Sequence, residues 1–510
     1  MKLLNRPRLA VVVSVALAAL CGPVASFAAT EPIRIQIGGE PSTLDPARVI
    51  DQYGFGILRN VVEGLFRLDA KGELANGLAE SYKISKDNLV YRFKIRANAK
   101  WSDGKRVAIE DFVLGLRHVV NPKTASPNAE DYFAIKKAKE IYQGKAKLEE
   151  LGVRQEGEEL VIELLRPDPT FLLSLSMPSA IPIRRDVLEA NKGVWSPKDP
   201  VTGDYVVKTY RPADTIELEP NPERKQPGQL PVQYKILQEE ITAMNLFEAG
   251  RMDVITTITA TEIAPLRKRG LVQSFPSTTV FYLAFNHSKP PFSDIDWRRA
   301  VASSVDREGL SKALMGVFEP TTSFLPKTLD GTVPYKPLDH AKSVEKVKGL
   351  DPAAKSVKLA FGASAFTKTA TEKIQFDLQK KLGLRLELEP MELKTLLSRL
   401  KSDPPAMYLL GVSAVYNDPM NHLESFSTES GPNFARYSSP EYEKLLDKLK
   451  VTAPGPKRTE LAQEANRFLI EKDIALVPIV LRTQVFGVSK SLKNFTVSPY
   501  QVIPLAQLRK

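Results

Sequence analysis

Histidine, which often serves in acid–base chemistry and in binding transition metals, is sparse in this sequence. Four histidines are spread along 510 residues without the spacing of a metal site: His118, His287, His340 and His422. The sequence contains no G-x-S-x-G nucleophile motif, no Walker A loop and no H-E-x-x-H motif. It therefore predicts no metal site, no cofactor and no catalytic centre, which argues against an exported hydrolase.

A glycine pair near the start of the chain is the nearest approach to a dinucleotide motif. Gly54 and Gly56 form a G-x-G, but Arg59 stands where the third glycine of the motif would be. That third glycine allows close packing of helix on strand, so an arginine there excludes the usual fingerprint.

The N-terminus is typical of a signal peptide. Lys2, Arg6 and Arg8 form a basic region, and a mostly apolar run follows at 9–20. Small residues before position 29 predict cleavage after Ala28, so that 1–28 is a signal peptide and the mature chain is exported. We expect a periplasmic location.

Cys21 is the only cysteine in the sequence. Lipid attachment normally requires a small residue just before the cysteine, and Leu20 stands there, so we do not expect a lipid anchor. Cleavage after Ala28 would leave a mature chain without cysteine, and this excludes disulfides, thiolate metal sites and cysteine nucleophiles.

The charge of the chain is positive but evenly mixed. The formal net charge is +11, and removal of the three signal-peptide cations leaves +8. Basic and acidic residues alternate, as in the segment 147–159, and no basic run is interleaved with stacking aromatic residues. The pattern indicates solvated surfaces and predicts no nucleic-acid partner.

Strands and helices alternate along the mature chain. Apolar residues with a period of two predict strands at 33–37, 89–95, 160–164 and 216–218. Helical spacing predicts a helix over 112–120, and Ser439-Pro440 begins another whose buried stripe is Tyr442, Leu445, Leu446 and Leu449. A later helix carries Leu461, Ala465, Phe468 and Leu469. These elements indicate a mixed α/β protein.

Several sequence segments occur in the order found in one family of receptors. They include GGEPSTLDP at 38–46, VVEGLFRLDAKGELANGLAESY at 61–82, WSDGKRVAIEDFVLGLRHVVNPKTASP at 101–127, FYLAFNHSKPPFSDIDWRRAVASSVDR at 281–307 and YNDPMNHL at 416–423. With these segments in this order, the sequence resembles the peptide-binding receptors of bacterial ABC importers, solute-binding protein family 5. The similarity is greatest to the oligopeptide receptors.

The resemblance implies a two-lobed α/β binding protein, type II-like with an extra inserted subdomain, in which helices flank mixed sheets and a ligand cleft lies between the lobes. Lobe one would hold 29–54, 178–277 and 483–510. The inserted subdomain would hold 55–177, and lobe two 278–482. Two crossings, near 276–280 and 478–483, would form the hinge.

The resemblance also implies how the ligand is held, and here the sequence departs from the family. The peptide receptors carry an Asp-Pro dipeptide at this place. A second aspartate, three residues before that dipeptide's aspartate, binds the α-amine of the peptide. That position is Val415, whereas Asp418 matches the later acid and is expected to brace the turn. A family tryptophan is replaced by Val412, and an aromatic residue at the start of the pocket by Asn128.

Two interpretations remain open at this point. In the first, the pocket is rebuilt for a solute whose free amine is not the main anchor, such as an N-blocked or cyclic peptide, a murein fragment or an opine-like compound. Arg482 would then bind a carboxylate. In the second, a peptide still binds through its backbone and through another acid, Asp418 or Glu424.

The expected ligand-binding residues follow from this alignment. They are Gln52, Asn128, Thr257, Tyr282, Val412, Ser413, Val415, Tyr416 and Arg482, together with backbone groups at 411–415. The expected function is capture of a peptide or peptide-like solute by a monomeric periplasmic receptor that delivers it to an ABC permease. The alternatives are a receptor for a non-peptide solute, or a periplasmic sensor or chaperone on the same fold.

Overall fold

The computed structural model describes residues 31–315, 317–350 and 356–510. The predicted signal peptide, its cleavage after Ala28 and the cysteine Cys21 lie outside the described residues. Within the described ranges, no helix is long and apolar enough to cross a membrane. In the same ranges, no three His, Cys, Asp or Glu side chains are grouped so that they could hold a metal ion.

The strands, in chain order, are β1 (Ile33–Ile37), β2 (Phe66–Leu68), β3 (Leu74–Asn76), β4 (Ala79–Ile84), β5 (Val90–Ile95), β6 (Val153–Glu156), β7 (Glu159–Glu163), β8 (Tyr205–Arg211), β9 (Thr215–Pro220), β10 (Val232–Ile236), β11 (Val254–Ile255), β12 (Val272–Phe285), β13 (Phe318–Pro320), β14 (Ser356–Gly362), β15 (Arg385–Met391), β16 (Met407–Val412) and β17 (Leu476–Val488).

The α-helices are α1 (Gln52–Val61), α2 (Ile109–Val120), α3 (Ala138–Tyr142), α4 (Phe171–Ser174), α5 (Arg185–Ala190), α6 (Glu240–Glu248), α7 (Ala260–Lys268), α8 (Ile295–Ser304), α9 (Arg307–Ala313), α10 (Ala341–Lys348), α11 (Ala365–Leu382), α12 (Leu393–Ser402), α13 (Met420–Leu423), α14 (Pro440–Val451) and α15 (Pro456–Arg467).

Local sequence signals explain several of these elements. The strand expected at 33–37 is β1, and the helix expected at 112–120 lies within α2. At the start of α14, Ser439 accepts a hydrogen bond from the backbone amide of Tyr442, and Pro440 occupies the first turn. The stripe predicted for α14 is buried. The predictions are confirmed where one face of an element packs on a core.

One large mixed sheet runs through both lobes. Its strand order is β15-β14-β16-β12-β17-β11-β1-β10-β9-β8, and β13 pairs with β17 beside this path. The long strands β12 and β17 are antiparallel neighbours and connect the two halves. Their pairing is interrupted between Pro276 and Val280, at the place where the sequence predicts one hinge crossing.

The half of the sheet that belongs to lobe two is covered on both faces. Successive residues of a strand point to opposite faces, and β12 shows this directly. Val280, Tyr282 and Ala284 enter a cluster with α14 and α15, whereas Leu283 and Phe285 enter a cluster with α8 and α11. Both faces of β12 are therefore buried in lobe two.

A separate antiparallel sheet, β4-β5-β7-β6, forms the inserted subdomain with α2. Its core includes Phe93 from β5, Phe112 from α2 and Leu160 from β7. After Ala180, which belongs to this core, Ile181 already packs in the core of lobe one. The subdomain therefore has its own hydrophobic core.

The predicted boundary at 54/55 cuts through α1. Ile57, Leu58 and Val61 recur on one face of this helix and pack against β1 and β10 in the core of lobe one. The structure therefore assigns the buried face of α1 to lobe one, whereas the sequence prediction placed most of the helix in the inserted subdomain. The other predicted domain ranges stay predictions.

Candidate ligand-binding cleft

Three of the expected ligand-binding residues meet in a cavity beside the crossing strand β17. Gln52, Thr257 and Arg482 line a cavity of about 120 Å³, together with Tyr53 and the apolar side chains Ile37, Ile57, Phe486 and Ile503. Thr257 is fixed by Gln36, whose Nε2 donates to Thr257 Oγ1 at 3.0 Å. The cavity therefore has an apolar wall and a few polar groups at its edge, as small-molecule sites usually have.

Arg482 brings a positive charge to this cavity without an acidic partner. In the described part of the chain its guanidinium makes neither a salt bridge nor a side-chain hydrogen bond. Desolvation by the surrounding protein lowers the pKa of Arg482, although part of the side chain reaches the surface, and the neighbouring Tyr53 opposes that shift. The Arg482 guanidinium is thus available to bind an anionic or hydrogen-bond-accepting group of a ligand.

The second group of expected residues lies on the segment after β16, residues 413–419, which we call the 413–419 loop. Val412 ends β16 opposite Val280 of β12. Ser413 Oγ lies 2.8 Å from Thr279 Oγ1, and the amide of Ala414 donates to Thr278 Oγ1 at 3.1 Å. These bonds hold the loop against the crossing segment of β12.

Asp418 braces the 413–419 loop from behind, as the sequence predicts. One carboxylate oxygen accepts the Met420 amide at 2.8 Å, and the other pairs with Arg458 Nη2 at 2.8 Å. The two side chains are only 5% and 6% exposed. Burial raises the pKa of Asp418, and Arg458 counteracts that shift. Glu424, the other acid considered, pairs with Lys450 at 3.1 Å.

Val415 lies at the front of the loop, and its side chain is 40% exposed. Its carbonyl oxygen accepts a hydrogen bond of 3.1 Å from Arg59 Nη2. Because Arg59 belongs to α1 and Val415 to lobe two, this bond crosses the cleft. The sequence interpretation used Arg59 only to exclude a glycine motif. The missed signal is its spacing of seven residues from Gln52, which places both on one face of α1.

Tyr416 faces the inserted subdomain. The pKa of its phenol is raised, chiefly because the phenol is desolvated. The negative charges of Asp131, Asp418 and Asp168 add to this shift, and a hydrogen bond with Thr170 opposes it. Asp131 was not predicted from the sequence. Its pKa is raised to about 6, chiefly by desolvation and then by the neighbouring Glu130, although its side chain is exposed to solvent. The third wall of the cleft thus carries an acid without a cationic partner among the described residues.

The two remaining residues have structural contacts. Asn128 Nδ2 donates to the carbonyl oxygen of Val49 at 3.0 Å, which ties the inserted subdomain to the segment before α1. Tyr282 is 4% exposed and packs edge-on against Phe324 and Phe426 in the core of lobe two. The structure places Tyr282 among packing residues because its side of β12 faces α14 and α15.

Comparisons with known proteins bear on the family and on the overall fold. The family model described as bacterial extracellular solute-binding proteins, family 5 middle, matches residues 73–434. The chain is 30% identical to the periplasmic oligopeptide-binding protein OppA of Escherichia coli (strain K12), over 87% of this chain and 85% of that protein. It is 29% identical to the "Probable deoxycholate-binding periplasmic protein YgiS" of the same strain, over 86% of each.

Among solved structures, the unliganded open form of the periplasmic murein tripeptide binding protein MppA is similar. The TM-score is 0.79 at 25% identity, and the match covers 94% of this chain and 97% of that one. The likeness confirms the two-lobed α/β architecture expected from the sequence.

Proposed function

Because this chain belongs to the bacterial extracellular solute-binding proteins of family 5, we propose that it captures a peptide or peptide-like solute in its cleft and delivers it to an ABC permease. The observation that carries the proposal is the Arg59–Val415 hydrogen bond, which joins α1 of lobe one to the 413–419 loop of lobe two at 3.1 Å. A solute that binds beside this contact touches both lobes at once.

The mechanism is ligand burial coupled to lobe closure. The lobes are connected by β12 and β17, and the interruption of their pairing at Pro276–Val280 provides a segment that changes its backbone angles at low cost. A ligand that contacts both lobes binds the closed form more tightly and therefore shifts the population toward it. The permease recognises the closed form. The protein makes and breaks no covalent bond in this cycle.

The ligand contacts are shared between the walls of the cleft. Gln52, Thr257 and Arg482 form one wall, and Ser413, Val415 and Tyr416 form the opposite one. Asn128 supports the wall made by the inserted subdomain. The receptor acts in the periplasm as a monomer, with the permease of the inner membrane as its partner.

A second candidate is a receptor for a non-peptide acid. Two observations favour it: Val415 is an exposed apolar side chain in the cleft, and the similar protein YgiS carries the name of a probable deoxycholate-binding protein. An acid with a rigid apolar body would fill the apolar cavity beside Arg482 and needs no amine-binding carboxylate.

Small-angle X-ray scattering on the mature protein, stripped of solute by unfolding and refolding, tests the first candidate. A mixed tripeptide pool should lower the radius of gyration, since closure brings the lobes together. Deoxycholate, added in a parallel sample, tests the second candidate. A scattering curve that neither additive changes would contradict both.

A further inference from the structure

We propose that the cleft selects a solute that carries a carboxylate and that Arg59 is the residue that binds it. This inference rests on the proposed function, because it assigns the charge of the solute that the same cleft takes. It concerns a residue to which the sequence gave no ligand role.

The hydrogen bonds of Arg59 are incomplete. Its Nη2 donates to the Val415 carbonyl at 3.1 Å and lies 3.4 Å from the sulfur of Met177. Its Nε and Nη1 are buried and have no hydrogen-bond partner. In the described ranges no carboxylate lies within salt-bridge distance of it. A desolvated guanidinium without a counter-ion is unfavourable, and a bound anion would relieve that cost.

Two of the three acids that line a cavity with Arg59 are paired with another cation. Arg59 lines this cavity of about 220 Å³ with Arg224 and with the acids Glu63, Asp69 and Asp204. Arg224 forms ion pairs with both Glu63 and Asp204. Glu63 and Asp204 are thus committed to another cation, whereas Asp69 accepts two backbone amides. None of the three carboxylates forms a salt bridge with Arg59.

Another buried arginine shows that the chain can satisfy such a group internally. Arg298 donates from all three side-chain nitrogens, to the carbonyl oxygens of Phe292 at 2.6 Å, Asp473 at 3.0 Å and Ile474 at 3.1 Å. Arg59 has one carbonyl partner, and that partner lies across the cleft on the 413–419 loop. A guanidinium forms its strongest bonds with planar carboxylates, so a ligand carboxylate between the lobes is the partner that suits it.

A second unpaired cation lies toward the other end of the same helix face. Gln52 and Gly56 line the cavity that holds Arg482, and Arg59 follows on that face of α1. At about 1.5 Å per residue, Gln52 and Arg59 are about 10 Å apart along the axis. Arg482 borders the apolar cavity, and Arg59 lines the cavity of about 220 Å³. Two positive charges beside an apolar cavity suit an acidic solute with an apolar body.

One acid in the cleft would favour an amine-bearing solute instead, and the test must therefore include such a solute. Asp131, on the wall made by the inserted subdomain, lacks a cationic partner among the described residues and influences Tyr416 electrostatically. An amine-bearing solute would use Asp131, whereas a carboxylate would use Arg59. The experiment must offer both groups separately.

The test uses refolded mature protein and equilibrium dialysis, with retained peptides identified by mass spectrometry. Three tripeptide pools of equal side-chain composition serve as probes: N-acetylated acids, N-acetylated amides and free-amine amides. The wild-type protein should retain the N-acetylated acids at least about tenfold better than either amide pool, the effect of one charged hydrogen bond. Arg59→Gln should abolish that preference.

Val415→Asp provides a second variant, since it adds an internal carboxylate beside Arg59 on a side chain that is 40% exposed. It should lower retention of the acid pool about tenfold. Arg211→Gln is the matched control, because Arg211 already pairs with Asp214 at 3.0 Å on an exposed surface, and it should change nothing.

Three outcomes would overturn the inference. Equal retention of acids and amides by the wild-type protein would leave peptide binding intact and remove the role of Arg59. Preferential retention of the free-amine amides would assign the main anchor to Asp131. An acid preference that survives both Arg59→Gln and Val415→Asp would place the carboxylate elsewhere. If the protein retained none of the pools, peptide binding itself would be refuted.

Discussion

Two arginines reach the 413–419 loop from opposite sides and differ in whether the protein neutralises them. Arg458 approaches from the core of lobe two and pairs with Asp418 at 2.8 Å, with both side chains almost fully buried. Arg59 approaches across the cleft from α1, where its Nη2 meets the Val415 carbonyl and the sulfur of Met177 but no carboxylate among the described residues. One arginine therefore belongs to the scaffold that shapes the loop, and the other belongs to the site.

The difference explains why neither Asp418 nor Glu424 is free to replace the missing aspartate of the family. Asp418 is held by Arg458 and the Met420 amide, and Glu424 is held by Lys450. Their engagement favours the interpretation in which the pocket is rebuilt. Four measurements test the difference between Arg458 and Arg59.

Arg458→Ala should have the largest effect on stability. It leaves the Asp418 carboxylate buried without its cation, and such a loss costs about 3–5 kcal/mol. Urea unfolding of the ligand-free protein measures it. The control is the neighbouring Lys457→Ala, which removes an exposed pair with Glu460 and should cost less than about 1 kcal/mol. Equal losses in the two variants would show that the Asp418–Arg458 pair does not hold the loop.

Acid should weaken the same support through His422, which is fully buried next to the Thr278 carbonyl. Burial lowers the pKa of His422 to about 4, below its ordinary value of about 6.5. As pH falls between these values, the unfolded state takes up a proton that the folded state does not. The free energy of unfolding therefore decreases, by about 2 kcal/mol at pH 5.

Urea unfolding of the wild-type protein and His422→Asn at pH 7 and pH 5 checks this prediction. We expect the variant to be less stable at both pH values, so the readout is the change in unfolding free energy between them. That change should be about 2 kcal/mol smaller in the variant. A repeat at pH 8, where the imidazole is neutral in both states, should give the same difference as at pH 7. An unchanged acid dependence in the variant would refute the assignment.

Ser413→Ala removes the 2.8 Å hydrogen bond to Thr279 that ties the front of the loop to the crossing segment. The loss of one neutral hydrogen bond should cost about 1 kcal/mol of unfolding free energy. Thr279→Ser, which keeps the hydroxyl, is the matched control. A loss from Ser413→Ala as large as that from Arg458→Ala would contradict the division between support and site.

Arg59→Gln should have the smallest effect on the ligand-free protein. It removes one hydrogen bond to a carbonyl but also a desolvated charge, and these opposing contributions should leave the free energy of unfolding within about 1 kcal/mol. Thermal denaturation of the stripped protein measures the change. A loss near that of Arg458→Ala would show that Arg59 is a scaffold residue like its counterpart.

The sequence predicted best the elements whose signal is local. The strand β1 and the buried stripe of α14 follow from periodicity and from the Ser439-Pro440 start, because one side of each element is buried. Tyr282 shows where periodicity stops being informative. Both faces of β12 are buried in lobe two, so alternation alone does not tell which face meets a ligand.

The charges of the cleft were harder to predict. Arg59 and Val415 are 356 residues apart in the chain, and whether Arg59 has a counter-ion depends on which acids the fold gives to other cations. Asp418 was correctly expected to brace its turn, but its partner Arg458 was not identified. Asp131 was missed because its proximity to Tyr416 arises only when the inserted subdomain meets the 413–419 loop.

The most direct test of the central claim is to identify the solute itself. The mature protein is purified from its native host, the solute is released by unfolding, and mass spectrometry identifies it. We expect a peptide or peptide-like solute that carries a carboxylate and that the refolded protein binds equally well with a free or an acetylated amine. A solute without an acidic group, or one whose binding is lost on acetylation, would contradict the account.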